Sequence, residues 1–282
     1  MLSFIANIFG YLLHAIYSLV NNYGVAVIIF SIILKLILLP LSIKQQKTMK
    51  KSTKIQGKLQ EIQFKYKNDP ERMNQETLKL YKEENMSPFS GCLSSIVQIL
   101  ILFAVFYLVR SPLTYMQKVD PTLIEQYTNE IRQEEQSGNS AYPEIDIIQL
   151  KGSTDERVYI NMDFLGIDLS KVPTASLNDL RVYIIPILYV LTSFISVRMT
   201  SKMQQNKKTE NEIIEGSENA ENNNEVDAME QANKTMTWFM PIMSISIAII
   251  APLGLALYWL MSNILMIVEK IILDKYINSK EE

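Results

Sequence analysis

Five stretches of this chain are apolar and nearly free of charge: Gly24–Ile43, Ser90–Val109, Val182–Val197, Thr237–Ala251 and Leu253–Ile267, the last with Leu273 as its outer limit. Runs of this kind predict helices that cross a bilayer rather than the core of a globular domain. The fourth is short for a span. The fourth and fifth together are too long for one span, and Ala251-Pro252-Leu253-Gly254 is the natural turn between them. The expected fold is therefore all-α: a polytopic membrane protein with a five-helix transmembrane bundle.

The intervening stretches carry other patterns. In Met1–Asn21, Phe4, Ile5, Ile8, Leu12, Ala15, Ile16 and Leu19 share one helical face, and Ser3, Asn7, His14 and Ser18 form a polar stripe. That suits a helix lying in the membrane interface. A sixth span is the alternative, and the break at Asn21-Asn22-Tyr23-Gly24 admits both. Between Lys44 and Glu84, Ile55, Leu59, Ile62 and Tyr66 recur at helical spacing, as do Met73, Thr77, Leu80 and Glu84, with Asn68-Asp69-Pro70 between the two sets. This reads as a helical hairpin with one apolar seam, a solvated connector being the alternative.

From Ser111 to Arg181 the chain is polar. Asp120-Pro121 is a good helix start, with Gly138 as the stop, and Glu144–Leu150 with Arg157–Phe164 are expected as a small β-hairpin. Gln204–Ala232 is rich in Asn and Glu and lacks the apolar residues needed to fold. The expected organisation is an extracytoplasmic interfacial helix (1–22), spans at 23–43, 89–110, 182–199, 236–251 and 252–273, a basic cytoplasmic hairpin (44–88), an extracytoplasmic loop (111–181), a disordered cytoplasmic loop (200–235) and a cytoplasmic tail (274–282).

Composition changes little. A hydrophobic content of 48% and a mean hydropathy of +0.07 would suit a soluble protein, because averaging hides the blocks. The single cysteine, Cys92, excludes an internal disulfide and a Cys-based metal cluster, so no metal or other cofactor is expected. The N-terminus has no basic n-region, no small-residue cleavage site and no early lipoprotein-type cysteine, and is expected to stay on the chain.

Charge does fix an expected orientation. Lys44–Glu84 holds 11 Lys/Arg against six acidic residues, whereas Arg110–Arg181 holds seven against 12. Lysines and arginines near span ends stay in the cytoplasm. Arg198, Lys202, Lys207, Lys208, Lys270 and Lys275 agree with the basic hairpin, which puts the N-terminus outside and the C-terminus inside the plasma membrane.

One charge falls inside the first span. Lys35 lies eight residues before the cytoplasmic end of its run, on the order of 12 Å at the helical rise. A lysine stem covers only about half of that distance, so a wet cavity or a polar partner is required. Ser31 shares its face. Ser94 and Gln98 on the second span, Thr192 and Ser196 on the third, Ser244 on the fourth, and Trp259, Ser262 and Asn263 on the fifth lie at similar depth, while the outer halves are mostly apolar. Together they suggest a polar groove open to the cytoplasm and closed outward. A through-pore would need polar residues along its length.

With these residues in view the chain resembles the YidC-type membrane protein insertases of bacteria, mitochondria and chloroplasts. The resemblance runs through Tyr23-Gly24, Leu38-Leu39-Pro40-Leu41 with Lys44-Gln45, Pro88-Phe89-Ser90-Gly91-Cys92-Leu93 with Gln98, Pro186, Met240-Pro241, and Pro252-Leu253-Gly254-Leu255-Ala256-Leu257-Tyr258-Trp259 with Ser262-Asn263. It implies an insertase and folding chaperone, not an enzyme, acting alone or with the Sec translocon. Lys35 would attract acidic residues of the substrate, Gln98 and Asn263 would line the groove, and Trp259 would cap it. Implied partners are nascent membrane proteins with one or two spans, membrane lipids, the Sec translocon and the ribosome, with no nucleic acid required.

The chain departs from the family in having Lys35 where arginine is usual, Ser196 for a glutamine and Ser94 for a proline. Ser111–Lys151 looks like an insertion. The competing reading is a small-solute or ion transporter with Lys35 as counter-charge, which would call for inverted repeats that the sequence lacks. No nucleotide-binding motif is present either.

Overall fold

The computed structural model describes residues 2–84, 90–135, 140–205 and 248–278. Most are helical: α1 (Leu2–Val20), α2 (Tyr23–Lys65), α3 (Pro70–Glu83), α4 (Ser90–Arg110), α5 (Pro121–Glu135), α6 (Pro143–Lys151), α7 (Ile184–Gln205) and α8 (Leu253–Asn278). Among the described residues, four stretches are long and apolar enough to cross a membrane: Leu2–Val20, Tyr23–Thr48, Leu180–Met199 and Leu253–Leu273; a shorter apolar stretch runs over Ile96–Arg110. Of the fourth apolar run, Thr237–Ala251, residues up to 247 lie outside the described set, and with them Met240-Pro241 and Ser244. Pro88-Phe89, residues 206–235 of the expected disordered loop and residues 279–282 also lie outside it. Residues 200–205 of that loop are the end of α7.

The described residues form two compact units. The first comprises Met1–Ile37, Gln98–Ser193 and Met243–Ile271. Its helix starts are tied to the polar segment that follows α4. Asn21 ends α1 in the left-handed conformation that asparagine tolerates. Asn22 then caps α2, accepting from the Val25 N–H at 3.0 Å and donating to the Asp163 carbonyl at 2.6 Å. The Tyr23 N–H donates to the Asn161 carbonyl. Gly24 must be glycine, because a Cβ there would overlap the Phe164 ring. At the start of α8, the otherwise orphaned N–H groups of Leu253 and Gly254 donate to the carbonyls of Lys171 and Leu169.

The polar segment is itself structured. α5 begins where Asp120-Pro121 predicts, with Asp120 accepting from the Thr122 N–H at 2.8 Å. The expected β-hairpin is corrected: Glu144–Leu150 belongs to α6. Pro143 at its first position, Glu144 and Asp146 in the first turn and burial of Ile145, Ile147 and Ile148 outweigh the β preference of the isoleucines. The one strand pair among the described residues lies later, β1 (Asp163–Phe164) against β2 (Ile167–Asp168), antiparallel around Leu165-Gly166. Both turn residues have positive φ, the backbone that suits a two-residue hairpin.

α1 also differs from expectation in which face it buries. Ala6, Gly10, Leu13, Ile16 and Tyr17 are covered, while Phe4, Ile8 and Leu19 are exposed. The reason is close backbone approach: a Cβ on Gly10 would collide with the Tyr115 carbonyl in the π-helical turn Leu113–Gln117. Lys118 holds the same face, donating to Asn7 Oδ1 at 2.5 Å with its ammonium 4.4 Å from the Tyr11 ring. Tyr17 Oη accepts from the Asn161 N–H at 2.8 Å. His14 is exposed.

The second unit comprises Leu38–Val97, Phe194–Ile242 and Ile272–Glu282. No proline lies between Ile43 and Lys65 and the one glycine, Gly57, is tolerated, so α2 runs on past the expected end of the first span, with Pro40 inside it. Asp69 caps α3 by accepting from the Arg72 N–H at 3.0 Å, with Pro70 at the first helical position. Lys58 and Glu84 form an ion pair at 2.8 Å, and Ile55 and Leu80 are buried.

Candidate functional site

Lys35 stands on α2 between buried Leu34 and exposed Leu36. Its stem leads to an acid: Nζ lies 2.5 Å from Oε2 of Glu269 on α8, with 21% and 8% of the two side chains exposed. The other carboxylate oxygen, Oε1, is buried with no hydrogen-bond partner among the described residues. Lys270 follows on α8, half-buried and close enough to interact electrostatically with both Lys35 and Glu269. A second ammonium group thus acts electrostatically on the pair.

An isolated lysine at this depth costs a few kcal/mol. Pairing it with a carboxylate brings a buried charge pair near to break-even, whereas removing one partner typically costs about 3–5 kcal/mol. The pair is therefore weak as a source of net stability and strong as a constraint on what the neighbours can be.

A second polar group joins α7 and α8. Asn263 Nδ2 donates to Thr192 Oγ1 and to Ser193 Oγ, each at 3.1 Å, and Asn263 and Ser193 are buried. Thr192 Oγ1 in turn donates to the Tyr189 carbonyl at 2.9 Å. The Tyr189 ring leans on Trp259, centroid to centroid 6.3 Å at 36°. Ser262 reaches the Tyr258 hydroxyl on its own helix. Ser31, one turn before Lys35, is buried and donates its hydroxyl to the Val27 carbonyl at 2.7 Å.

Gln98 is exposed. Ser196 is buried and belongs to the second unit. Ser94 lies on α4, with its side chain outside the described set. Among the described residues, no group of three or more His, Cys, Asp or Glu side chains is placed to hold a metal ion.

Sequence reasoning missed Glu269, Lys270 as its neighbour, and Ser193. A signal was there. In Ile264-Leu-Met-Ile-Val-Glu-Lys-Ile-Ile-Leu273 an acid and a lysine interrupt an otherwise apolar run, and a lysine inside an apolar helix elsewhere in the chain calls for an acidic partner.

The profile of the family described as 60Kd inner membrane protein matches residues 15–281. The chain belongs to the 60Kd inner membrane protein family, the YidC/Oxa family. Family members named "Membrane protein insertase YidC" include that of Chlorobaculum tepidum, 29% identical over 264 residues (93% of this chain, 34% of the relative). That of Fusobacterium nucleatum subsp. nucleatum is 44% identical over 102 residues (36% and 50%), and that of Clostridium tetani 51% over 86 residues (30% and 39%). The chain thus spans about a third to a half of the length of these family members. Membership and the long apolar helices together make it a multi-pass membrane protein of a bacterial type.

Proposed function

We propose that this chain is a membrane protein insertase that captures acidic or polar segments of nascent membrane proteins and releases their apolar helices into the bilayer. The observation that carries this reading is Lys35: a cation inside a long apolar helix, paired with the carboxylate of Glu269 and accompanied by a second lysine. A substrate carboxylate interacts with such a site more strongly than with a lysine in bulk water. Partition of the apolar helix into lipid is the driving force, so no nucleotide is consumed.

In this reading Lys35, Ser31, Ser94, Gln98, Thr192, Ser196, Trp259, Ser262 and Asn263 line a groove open to the cytoplasm, within a bundle of five spans whose fourth member is 236–251. The hydrogen bonds of Asn263 to Thr192 and Ser193 support α7 and α8 as one wall. The basic α2–α3 region acts as a cytoplasmic hairpin that meets the substrate first, and lipid, the Sec translocon and the ribosome are the other partners. The N-terminus lies outside and the C-terminus inside. Contacts of Asn7, Gly10 and Tyr17 with Lys118, Tyr115 and Asn161 support α1 as a helix lying along the extracytoplasmic segment.

Site-specific crosslinking tests the reading. A ribosome-bound single-span protein is presented to membranes carrying the full chain with a photoreactive residue at Ile187, Leu191, Val268 or Ile271, all exposed apolar positions on α7 and α8. Adducts that form with the apolar segment and disappear on release of the finished chain are expected. Adducts confined to α1, or none at all, would contradict the reading.

A further inference from the structure

We infer that Glu269 is a resident counter-ion that occupies the place a substrate carboxylate takes on Lys35, so that acidic segments are captured by exchange and not by a standing free cation. The inference deepens the insertase reading and rests on it.

The geometry comes first. Glu269 contacts Nζ through Oε2 alone, at 2.5 Å, and its Oε1 has no hydrogen-bond partner among the described residues. A carboxylate built in solely to fasten two helices would be expected to satisfy both oxygens, since each buried unsatisfied acceptor carries a desolvation penalty. One-sided engagement ties the acid to Lys35 through a single oxygen.

Charge comes second. Lys35 with Glu269 is neutral, which suits its surroundings: Ile32, Leu36 and Ile37 on α2 and Val268 and Ile271 on α8 are exposed apolar side chains. Lys270 adds a second cation whose electrostatic interactions reach both Lys35 and Glu269. Exchange keeps Lys35 paired, and the electrostatic interaction of Glu269 with Lys270 offsets part of the cost of displacing the acid, so the step can run in both directions. That reversibility is what a transient capture site needs. A lysine without Glu269 would hold an acidic segment more tightly and release it more slowly.

The residue class selected is an acidic stretch of polypeptide, and Glu269 sets how strongly it is preferred. A purely structural strut between α2 and α8 is the rival role, and the two roles separate by comparing tails within one variant. Full-length chain is reconstituted in liposomes and given two single-span proteins that differ only in the translocated tail, one with several Asp and Glu residues and one with Asn and Gln in their place. Initial insertion is read by protease protection as the ratio of acidic to neutral tail, which cancels any general loss of folded protein.

Glu269→Gln is expected to raise that ratio ~5-fold or more, the size of an ordinary coupling between two groups. Glu269→Asp should stay near the wild-type ratio. The double variant Lys35→Gln with Glu269→Gln leaves no buried unpaired charge at this position, so it keeps the test open if the single variant does not fold, and its ratio should fall to about that expected of a site without capture. An unchanged ratio in Glu269→Gln, or a double variant that discriminates as the wild type does, overturns the inference. If the wild-type chain inserts neither tail, the insertase reading itself fails.

Discussion

Glu269 on the last helix and Lys35 on the second are joined at 2.5 Å although most of the chain lies between them, and neither is more than about one-fifth exposed. The partner that a lysine within an apolar helix requires is thus carried by the chain itself. Breaking the pair from one side leaves a buried charge. Lys35→Ala is expected to destabilise the protein by about 3–5 kcal/mol, and Lys35→Ala with Glu269→Ala by much less. Denaturant unfolding in detergent, analysed as a double-mutant cycle, measures the difference. Additive losses would show that the two side chains do not interact.

The contact between α1 and the segment after α4 depends on Gly10. Replacing it with leucine forces side-chain atoms into the Tyr115 carbonyl, and backbone has to move to admit them. A loss of ~2–4 kcal/mol is expected, the scale of severe overpacking. Limited proteolysis near Lys118 should accelerate in Gly10→Leu and stay near wild type in Leu19→Ala, since Leu19 is 86% exposed.

Asn263 is the donor that joins α7 to α8. Asn263→Ala leaves Thr192 and Ser193 without it, and a cost on the order of 1 kcal/mol is expected, as for hydrogen bonds between membrane helices. Asn263→Gln should not restore it, because the longer side chain carries the amide past both hydroxyls. Thermal unfolding of the three proteins in one detergent provides the ranking.

Acid should act on the polar segment with two opposite signs. Lys171 and Arg181 beside Asp179, at 3.0 and 3.1 Å, hold its carboxyl down at about 2. Its contribution is therefore complete above the usual carboxylate range and is lost as pH falls toward 2. Burial pushes the Glu144 carboxyl up, against the pull of its hydrogen bonds from Thr114 at 2.6 and 2.9 Å. There the folded state prefers the proton, so stability falls as pH rises from the usual carboxylate value through the raised one. Asp179→Asn should flatten the acid limb of a stability–pH curve, and Glu144→Gln should remove the decline on the other side. Curves that both variants share with the wild type would contradict these assignments.

Gly24–Ile43, Val182–Val197 and Leu253–Ile267 were legible as parts of helices apolar and long enough to cross a bilayer, because long runs with almost no charge suit a bilayer core and little else in a folded chain. The helix start at Asp120-Pro121 was legible because capping is local chemistry, and Asn68-Asp69-Pro70 was legible as a break because proline cannot continue a helix interior. Three features were not. α6 reads as strand because Ile145, Ile147 and Ile148 are β-branched, and their burial together with Pro143, Glu144 and Asp146 at its start tips the balance to helix. The covered face of α1 is set by Ala6 and Gly10, small residues that a hydrophobic pattern ignores and a close backbone contact selects. Lys35 was visible as a charge that needs a partner, and its partner was not, since pairing across the chain is tertiary. Of the candidate site, Asn263 and Thr192 do meet, whereas Gln98 is exposed.

Capture of acidic segments of nascent membrane proteins by the Lys35 charge is the step proposed for this chain. The most direct measurement is the insertion rate of a single-span protein with an acidic translocated tail, by protease protection, in membranes carrying wild-type, Lys35→Ala, Lys35→Glu or Lys35→Arg chain at equal folded amounts. Loss of insertion in Lys35→Ala and Lys35→Glu with retention in Lys35→Arg is the expected result. Lys35→Ala inserting every substrate at the wild-type rate would contradict it.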